Sequence, residues 1–197
     1  MFSRPSARRL ALALSAVTFG LLAATPANGA AAVTDIEIEN PSFKQPFLPG
    51  SQWRDVDAGS TFIKGWDVTK GDANLESAEW AQTGSSSQAV SLNGDGKGEI
   101  RQEVRTVPGR IVHLSFRLGT EMYSECDTTL DNTFTFTPTG SKPLLMNAGR
   151  PDHKNPQWQD VNVTFLATAK RTDLTFTSLV NGRCGAVITD LEAYQEA

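Results

Sequence analysis

The chain has 197 residues with a formal net charge of −4 at pH 7, and 39% of the residues are hydrophobic. A chain of this length can form one domain with a sizeable core. Outside the N-terminal segment it has no Lys/Arg cluster, which excludes the basic surface that nucleic acid or an anionic membrane would need as a partner.

The first residues have the parts of an export signal. Three arginines precede an apolar run at residues 10–24, and the small residues Ala27-Asn28-Gly29 suit a signal peptidase. The run is shorter than the roughly 20 residues that span a bilayer, so a retained anchor is the weaker interpretation. We predict a signal peptide at residues 1–30, a single domain at residues 31–197, a secreted, extracellular product and no membrane association after cleavage.

The remaining chain alternates apolar and polar residues in short segments separated by Gly, Pro, Asn, Asp and Ser. At residues 110–118, four apolar side chains share one face, while His113, Ser115 and Arg117 share the other. Period-two alternation predicts strands, and we expect nine or ten of them in two packed antiparallel sheets. Residues 140–156 are predicted to form a loop, with a short strand near Leu144. The predicted fold class is therefore all-β, an antiparallel β-sandwich.

The chain contains two cysteines, Cys126 and Cys184. In an exported protein an even pair is most simply a disulfide, and the alternative is two buried free thiols. Two cysteines without nearby histidines are a poor zinc site. We therefore predict a Cys126–Cys184 disulfide.

Several short motifs follow one another along the predicted mature chain: Asn40-Pro41-Ser42-Phe43, Gly65-Trp66-Asp67-Val68, Ser91-Leu92-Asn93-Gly94 and Thr106-Val107-Pro108-Gly109. In this order they resemble the choice-of-anchor C family of secreted bacterial proteins and the related plant cell-wall proteins called domain of unknown function 642. The resemblance implies a galactose-binding-like jelly roll, the fold of many carbohydrate-binding modules, and a link to cell-wall polysaccharide. Trp66 is expected in the core, because the family motif around it is a packing motif.

The sequence departs from the calcium site that related sandwiches often carry. Lys44 and Thr189 stand where carboxylates would be needed, and Asp190 follows Thr189. An ammonium and a hydroxyl leave too few hard oxygen ligands for Ca²⁺ at that place. We expect no calcium there, no other metal and no cofactor.

Sugar-binding surfaces use aromatic rings beside amides, acids or hydroxyl groups. Trp53, Trp80, Tyr123 and Trp158 are the candidate ligand-binding residues, because each lies at a loop or strand end among polar neighbours. For each ring taken singly, the simpler interpretation is a packing role.

Catalytic interpretations have weak support. A paired-carboxylate glycosidase could draw on several acids, but 22 acids make chance candidates unavoidable. These are Glu76, Glu79, Glu121, Glu125 and Asp127. The two histidines, His113 and His153, show no relay or metal spacing. We expect no catalytic residues and no enzyme activity.

Three functions remain open. A secreted, non-catalytic carbohydrate-binding protein acting on polysaccharide or oligosaccharide is favoured by the resemblance and the loop tryptophans. A protein-interaction or envelope-matrix domain, with a protein partner, is the alternative. A small secreted hydrolase is the least favoured.

Overall fold

The computed structural model describes residues 32–128, 132–154 and 156–196, which places the predicted signal peptide at residues 1–30 outside the described residues. The described chain contains no α-helix, one short 3₁₀ helix (Ser124–Thr128) and twelve strands. The strands are β1 Val33–Ile36, β2 Trp53–Asp57, β3 Asp67–Lys70, β4 Asp72–Glu76, β5 Ala89–Ser91, β6 Glu99–Arg105, β7 Ile111–Thr120, β8 Thr133–Pro138, β9 Leu144–Asn147, β10 Gln159–Leu166, β11 Arg171–Ser178 and β12 Ala186–Glu196.

The strands form two sheets, which we name sheet A and sheet B. Sheet A has the order β10-β7-β12-β5-β4-β2, with β1 paired to the far end of β12, and sheet B has the order β3-β6-β11-β8-β9. All paired neighbours are antiparallel. The all-β, antiparallel sandwich predicted from the sequence is confirmed.

The core lies between the sheets and is built from alternate residues of each long strand. Phe116 of β7 meets Phe176 of β11 edge to face, with ring centres 5.5 Å apart. Phe136 of β8 lies 5.0 Å from the same Phe176 ring. Each such ring buried from water contributes about 1.5–3 kcal/mol. Trp66 is 2% exposed and packs on Phe43, so its predicted place in the core is confirmed.

The expected count of nine or ten strands is wrong, because β2, β3 and β4 carry little alternation. The outward residues of β4 are Asn74 and Glu76, and both are buried, since loop residues 77–88 cover this part of sheet A. A strand that is covered on both faces does not alternate apolar and polar residues, and the prediction of strands depends on that alternation. The short strand expected near Leu144 is present as β9.

The predicted disulfide is confirmed. Cys126 and Cys184 are bonded, with Cα atoms 5.3 Å apart, and the described residues contain no free cysteine. The bond joins the 3₁₀ helix after β7 to the residues that enter β12. It therefore ties the loop that carries Tyr123 to the residues just before β12, a central strand of sheet A.

Candidate functional site

The outer face of sheet A, which points away from the core, carries the polar side chains of β10, β7 and β12 in rows. The pairing places Asp160 beside Arg117, Asn162 beside Ser115, and Thr164 beside His113. On the other side of β7, Ser115 pairs with Glu192 and His113 with Tyr194. Three strands therefore present hydroxyl, amide, carboxylate and guanidinium groups on one surface.

These rows and the adjoining surface form two shallow depressions, which we together name the sheet-face groove. The first has a volume of about 320 Å³ and is lined by Ser115, Phe116, Arg117, Asp160, Asn162, Asp190 and Glu192. A second depression of about 390 Å³ adjoins it, shares Ser115 and Glu192 with it, and extends to Tyr194 and Ile36. From Gly119 to His113 the surface runs about 20 Å along β7. It is long enough for several linked sugar rings.

Trp158 closes one end of the groove. No side chain separates its indole from Gly119, where an added Cβ would come within 3.1 Å of the ring. The indole Nε1 donates to the carbonyl of Gln82 at 3.2 Å, and the guanidinium carbon of Arg117 lies 5.0 Å from the ring centre. Trp158 is half-buried and held in one orientation beside the most polar part of the groove.

Asp190 enters the groove through an irregularity in β12. The pairing with β7 shifts between Thr189 and Glu192, and Asp190 has a φ of 51°. A non-glycine residue in this conformation costs of order 1–3 kcal/mol, and Asp tolerates it better than most. One carboxylate oxygen accepts from Ser42 Oγ at 2.8 Å, and the other lies 3.4 Å from Nη1 of Arg117. The bulge therefore directs an anchored carboxylate to the groove.

The other end of the groove is formed by His113 and Tyr194. Their rings stack 4.6 Å apart with an interplanar angle of 8°. His113 Nε2 lies 2.9 Å from an oxygen of Glu196. Tyr194 is 41% exposed, so this end of the groove offers a ring for contact with a ligand.

Three of the predicted rings meet over the β2–β4 side of the same face. Trp53, Trp80 and Tyr123 lie with ring centres 5.2–6.5 Å apart in tilted or edge-to-face contacts. We name this set the three-ring cluster. Trp53 and Trp80 are half-buried, whereas Tyr123 is only 9% exposed. The rings pack on one another and do not form an open platform. The fourth predicted ring, Trp158, belongs to the groove instead.

Two carboxyl groups lie beneath the three-ring cluster. Glu76 of β4 and Glu121, which follows β7, are both fully buried and adjacent to each other. Burial raises the pKa of Glu76 well above its usual value, and the charge of Glu121 raises it further. Burial also raises the pKa of Glu121, against the lowering effect of neighbouring polar groups. The pKa of the Tyr123 phenol is raised by burial and then by these two carboxyls.

The remaining candidate residues have ordinary environments. Lys44 donates to Ser86 Oγ at 2.9 Å, and the hydroxyl of Thr189 donates to the carbonyl of Gln88, so the two residues at the calcium position of related sandwiches form local hydrogen bonds. Glu79 and Glu125 are exposed, His153 is half-buried, and the side chain of Asp127 lies outside the described residues. Glu76 and Glu121 are paired carboxyls, but a sugar cannot reach them without displacing the rings.

The sequence pattern alone does not identify five of the groove residues as a site: Arg117, Asp160, Asn162, Asp190 and Glu192. Three of these residues could have been found from the alternation that predicts β7 and β10. That alternation places Arg117, Asp160 and Asn162 on the outward faces of the two strands. Asp190 and Glu192 required knowledge of the bulge.

No helical segment in the described residues combines the length and apolar character required to cross a membrane. A family model with the description "Protein of unknown function (DUF642)" matches residues 36–193. No curated protein sequence matches the chain.

Several solved structures are similar to the chain. An arabinose-bound α-L-arabinofuranosidase matches with a TM-score of 0.50 at 11% identity, over 85% of this chain and 27% of that protein. A structure described as "CBM4 structure and function" matches with a TM-score of 0.49 at 12% identity, over 81% of this chain and all of that one. A family 35 carbohydrate-binding module from Clostridium thermocellum matches with a TM-score of 0.45 at 18% identity, over 75% of this chain and all of that one. The sandwich has the galactose-binding-like jelly-roll fold, and at these identities the likeness concerns the fold alone.

Proposed function

The chain belongs to the DUF642 family, and from this premise we propose that it is a non-catalytic protein that binds polysaccharide or oligosaccharide through the sheet-face groove. Within that family, the motif order favours the choice-of-anchor C group. The N-terminal pattern at residues 1–30 favours export, and the disulfide is compatible with an oxidising, extracellular destination.

One observation carries the proposal. An oriented indole, Trp158, stands beside an Arg117–Asp190 pair at the end of a polar groove that crosses three strands. Sugar recognition needs this combination, because the apolar face of a sugar ring packs on an aromatic side chain while its hydroxyl groups need fixed donors and acceptors. The groove supplies both kinds of contact without a change of backbone.

The groove residues have distinct roles in this proposal. Trp158 and Tyr194 contact sugar rings at the two ends. Arg117 donates to hydroxyl oxygens, and Asp190 accepts from hydroxyl groups because Ser42 and Arg117 already hold it in place. Glu192 lies between the two depressions and can contact rings on either side. A mainly acidic lining favours neutral glycans over polyanionic ones, since a polyanion would meet like charge.

A glycan array followed by isothermal titration calorimetry tests the proposal. We expect binding of at least one neutral oligosaccharide, with affinity reduced more than about tenfold by Trp158→Ala and by Tyr194→Ala, since each removes a stacking contact. Phe47→Ala is the matched control, because Phe47 is 71% exposed and does not line either depression. Absence of binding to every glycan, or equal binding by all variants, would contradict the proposal.

A second candidate function rests on strand β9. This strand is an edge of sheet B, and it carries Leu144 and Leu145, which are 40% and 70% exposed. An exposed apolar edge can pair with an extended segment of another protein. If the chain is a protein-interaction or envelope-matrix domain, Leu145→Lys should abolish capture of a protein partner and leave glycan binding unchanged.

A further inference from the structure

Two carboxyl groups lie side by side beneath the three-ring cluster without a compensating positive charge. The side chains of Glu76 and Glu121 are hydrogen-bonded to each other, and both are fully buried. Among the described residues, no Lys, Arg or His forms an ion pair with either carboxyl. Two carboxyls in contact inside a protein cannot both be ionised, because burial and repulsion disfavour the second charge. The pair therefore holds at least one proton in the folded domain.

A shared proton also completes the hydrogen bonding of this buried region. Four acceptor oxygens there have no partner within the described chain: both oxygens of Glu76, Oε2 of Glu121 and Oδ1 of Asn74. One proton between the carboxyls pairs two of these oxygens. The Trp80 N–H and the Tyr123 O–H are unpartnered donors beside them and are available to the other two. Loss of the proton would leave two buried oxygens that repel each other and have no donor.

The other charged groups around the pair do not supply the missing charge. Those on the elements packed around it are all more exposed than the pair: Asp55 of β2, Asp72 of β4, Glu79, Asp95, Glu125 and Arg183. Arg183 lies 5.3 Å from the Tyr123 ring and is paired with Asp95. Strand β5 contains no titratable residue. Burial and then the two carboxyls raise the pKa of the Tyr123 phenol, so the phenol keeps its proton while the carboxyls titrate.

The carboxyl pair lies beside the residues against which Trp158 packs. Glu76 pairs with Ala89 of β5, Ala89 belongs to a small apolar cluster with Ala81, and Trp158 packs against that cluster. Glu76 also leads directly into residues 77–88, which we name the covering loop. The pair is therefore close to the aromatic end of the groove both in space and along the chain.

The covering loop holds two groove residues through consecutive carbonyl groups. The carbonyl of Gln82 accepts from Nε1 of Trp158 at 3.2 Å, and the carbonyl of Thr83 accepts from Nη1 of Arg117 at 2.9 Å. Backbone hydrogen bonds close the loop on itself between residues 77 and 83. A displacement of the loop at its first residues therefore displaces both carbonyls.

We propose that the Glu76–Glu121 pair is a proton-dependent switch for the sheet-face groove. The protonated pair holds the covering loop closed. Loss of the shared proton as the pH rises opens the loop and releases Trp158 and Arg117, because an ionised pair needs water, which reaches it only if the loop and the rings move. Only the consequence for glycan affinity rests on the proposed function.

NMR titration of the side-chain carboxyl carbons in the full mature domain tests the shared proton directly. Glu76→Gln and Glu121→Gln assign the two signals. We expect both signals to report a common titration step well above the ordinary glutamate value of about 4.3. Separate titrations of the two carboxyls near about 4.3 would overturn the proposal.

The pH dependence of unfolding tests whether this proton stabilises the closed domain. Because the pKa of the pair is raised by folding, the folded state keeps a proton that the unfolded chain loses above about 4.3. The unfolding equilibrium constant should therefore increase about tenfold per pH unit for each such proton, from about 4.3 up to the pKa of the pair.

One isosteric variant and one control assign that pH dependence to the pair. In Glu76→Gln an amide N–H takes the place of the shared proton, so the part of the pH dependence that the pair causes should disappear. Glu79→Gln changes an exposed carboxylate of the covering loop and should keep the behaviour of the unmodified protein. An identical pH dependence in Glu76→Gln and the unmodified protein would overturn the proposal.

Two measurements across the titration step test the connection to the groove. The indole N–H signal of Trp158 should shift as its bond to Gln82 is lost, and calorimetry should show glycan affinity at least about tenfold lower above the step, since fewer molecules are competent to bind. Glu76→Gln should show neither change. An indole signal that does not move across the step in the unmodified protein would overturn the switch. A shift of that signal without glycan binding at any pH would support the switch and contradict only the proposed function.

Discussion

Nη1 of Arg117 lies 3.4 Å from Oδ2 of Asp190, although the two residues are 73 positions apart in the sequence. Arg117 also donates to the carbonyl of Thr83 at 2.9 Å and approaches the Trp158 ring. One planar guanidinium therefore connects the bulge in β12, the loop that covers sheet A and the aromatic end of the groove. Lysine cannot make these contacts together, because it has a point charge and no planar fork.

Arg117→Lys should accordingly weaken glycan binding while retaining the charge. We expect affinity to fall about tenfold or more, as for the loss of a charged hydrogen bond. The free energy of unfolding should change by about 1 kcal/mol, because lysine retains the charge of this partly buried ion pair. Calorimetry and chemical denaturation measure the two quantities. Equal affinity for Arg117→Lys and the unmodified protein would remove Arg117 from the binding site.

Gly119→Ala tests whether glycan binding depends on the position of the Trp158 ring. The added Cβ would come within 3.1 Å of the indole, so the ring has to move by a few tenths of an ångström. We expect weaker glycan binding and altered tryptophan fluorescence. Alanine also reduces the entropy of the unfolded chain by about 0.4–1 kcal/mol, which opposes the crowding, so binding is the informative measurement. Gly96→Ala is the control, because its Cβ would meet Asp72 at an ordinary 3.7 Å. Loss of binding in both variants would contradict this account.

Removal of the disulfide should destabilise the domain strongly. Cys126 and Cys184 are 58 residues apart, and closing a loop of this length restricts the unfolded chain by about 4 kcal/mol on the chain-entropy model. The double variant Cys126→Ala and Cys184→Ala should lose a comparable part of its unfolding free energy in chemical denaturation. A reductant should destabilise the unmodified protein and have no effect on the double variant. An unchanged denaturation midpoint in the double variant would show that the bridge contributes nothing.

Glu99 makes the free energy of unfolding of the domain depend on pH in the acid range. Burial by itself raises the pKa of this carboxyl, but hydrogen bonds from Lys70, Thr177 and Thr69, each 2.7 Å long, lower it below its usual value. A carboxyl with a lowered pKa in the folded state stabilises that state above the unfolded value of about 4.3. This stabilisation is lost as the pH falls through the folded value.

Glu99→Gln should therefore lower the free energy of unfolding by about 1.5–3 kcal/mol at pH 7, since charged hydrogen bonds are lost. The difference in the free energy of unfolding between the variant and the unmodified protein should disappear as the pH falls well below about 4. Glu103→Gln is the control, because Glu103 forms an exposed pair with Arg171, which contributes only about 0–1 kcal/mol. Denaturation at several pH values measures both. A Glu99→Gln difference that persists unchanged at the lowest pH would contradict the assignment.

Strands β7 and β11 could be predicted from the sequence because they are buried mainly on one face. β11 alternates along its whole length and β7 alternates as far as Leu118, and their phenylalanines point to the core. Strand β4 could not be predicted, because its outward residues Asn74 and Glu76 are buried under a loop. A polar residue covered by a distant segment carries no local sign of its burial.

The site could be predicted only in part, for a similar reason. Trp53, Trp80 and Tyr123 meet because the register of sheet A brings β2, β4 and the end of β7 together across gaps of many residues. The residue types identify these rings as candidate ligand-binding residues, but they do not show that the rings pack on one another. Asp190 reaches the groove through a backbone irregularity that alternation cannot predict, since the bulge changes the face on which the following residues lie.

The central claim is that a glycan occupies the outer face of sheet A between Trp158 and Tyr194. An NMR titration of the isotopically labelled domain with the tightest oligosaccharide from the array tests it most directly. We predict chemical-shift changes concentrated at Ser115, Arg117 and Glu192 and at the side chains of Trp158 and Tyr194. Changes confined to the three-ring cluster or to strand β9, with the groove unaffected, would contradict it.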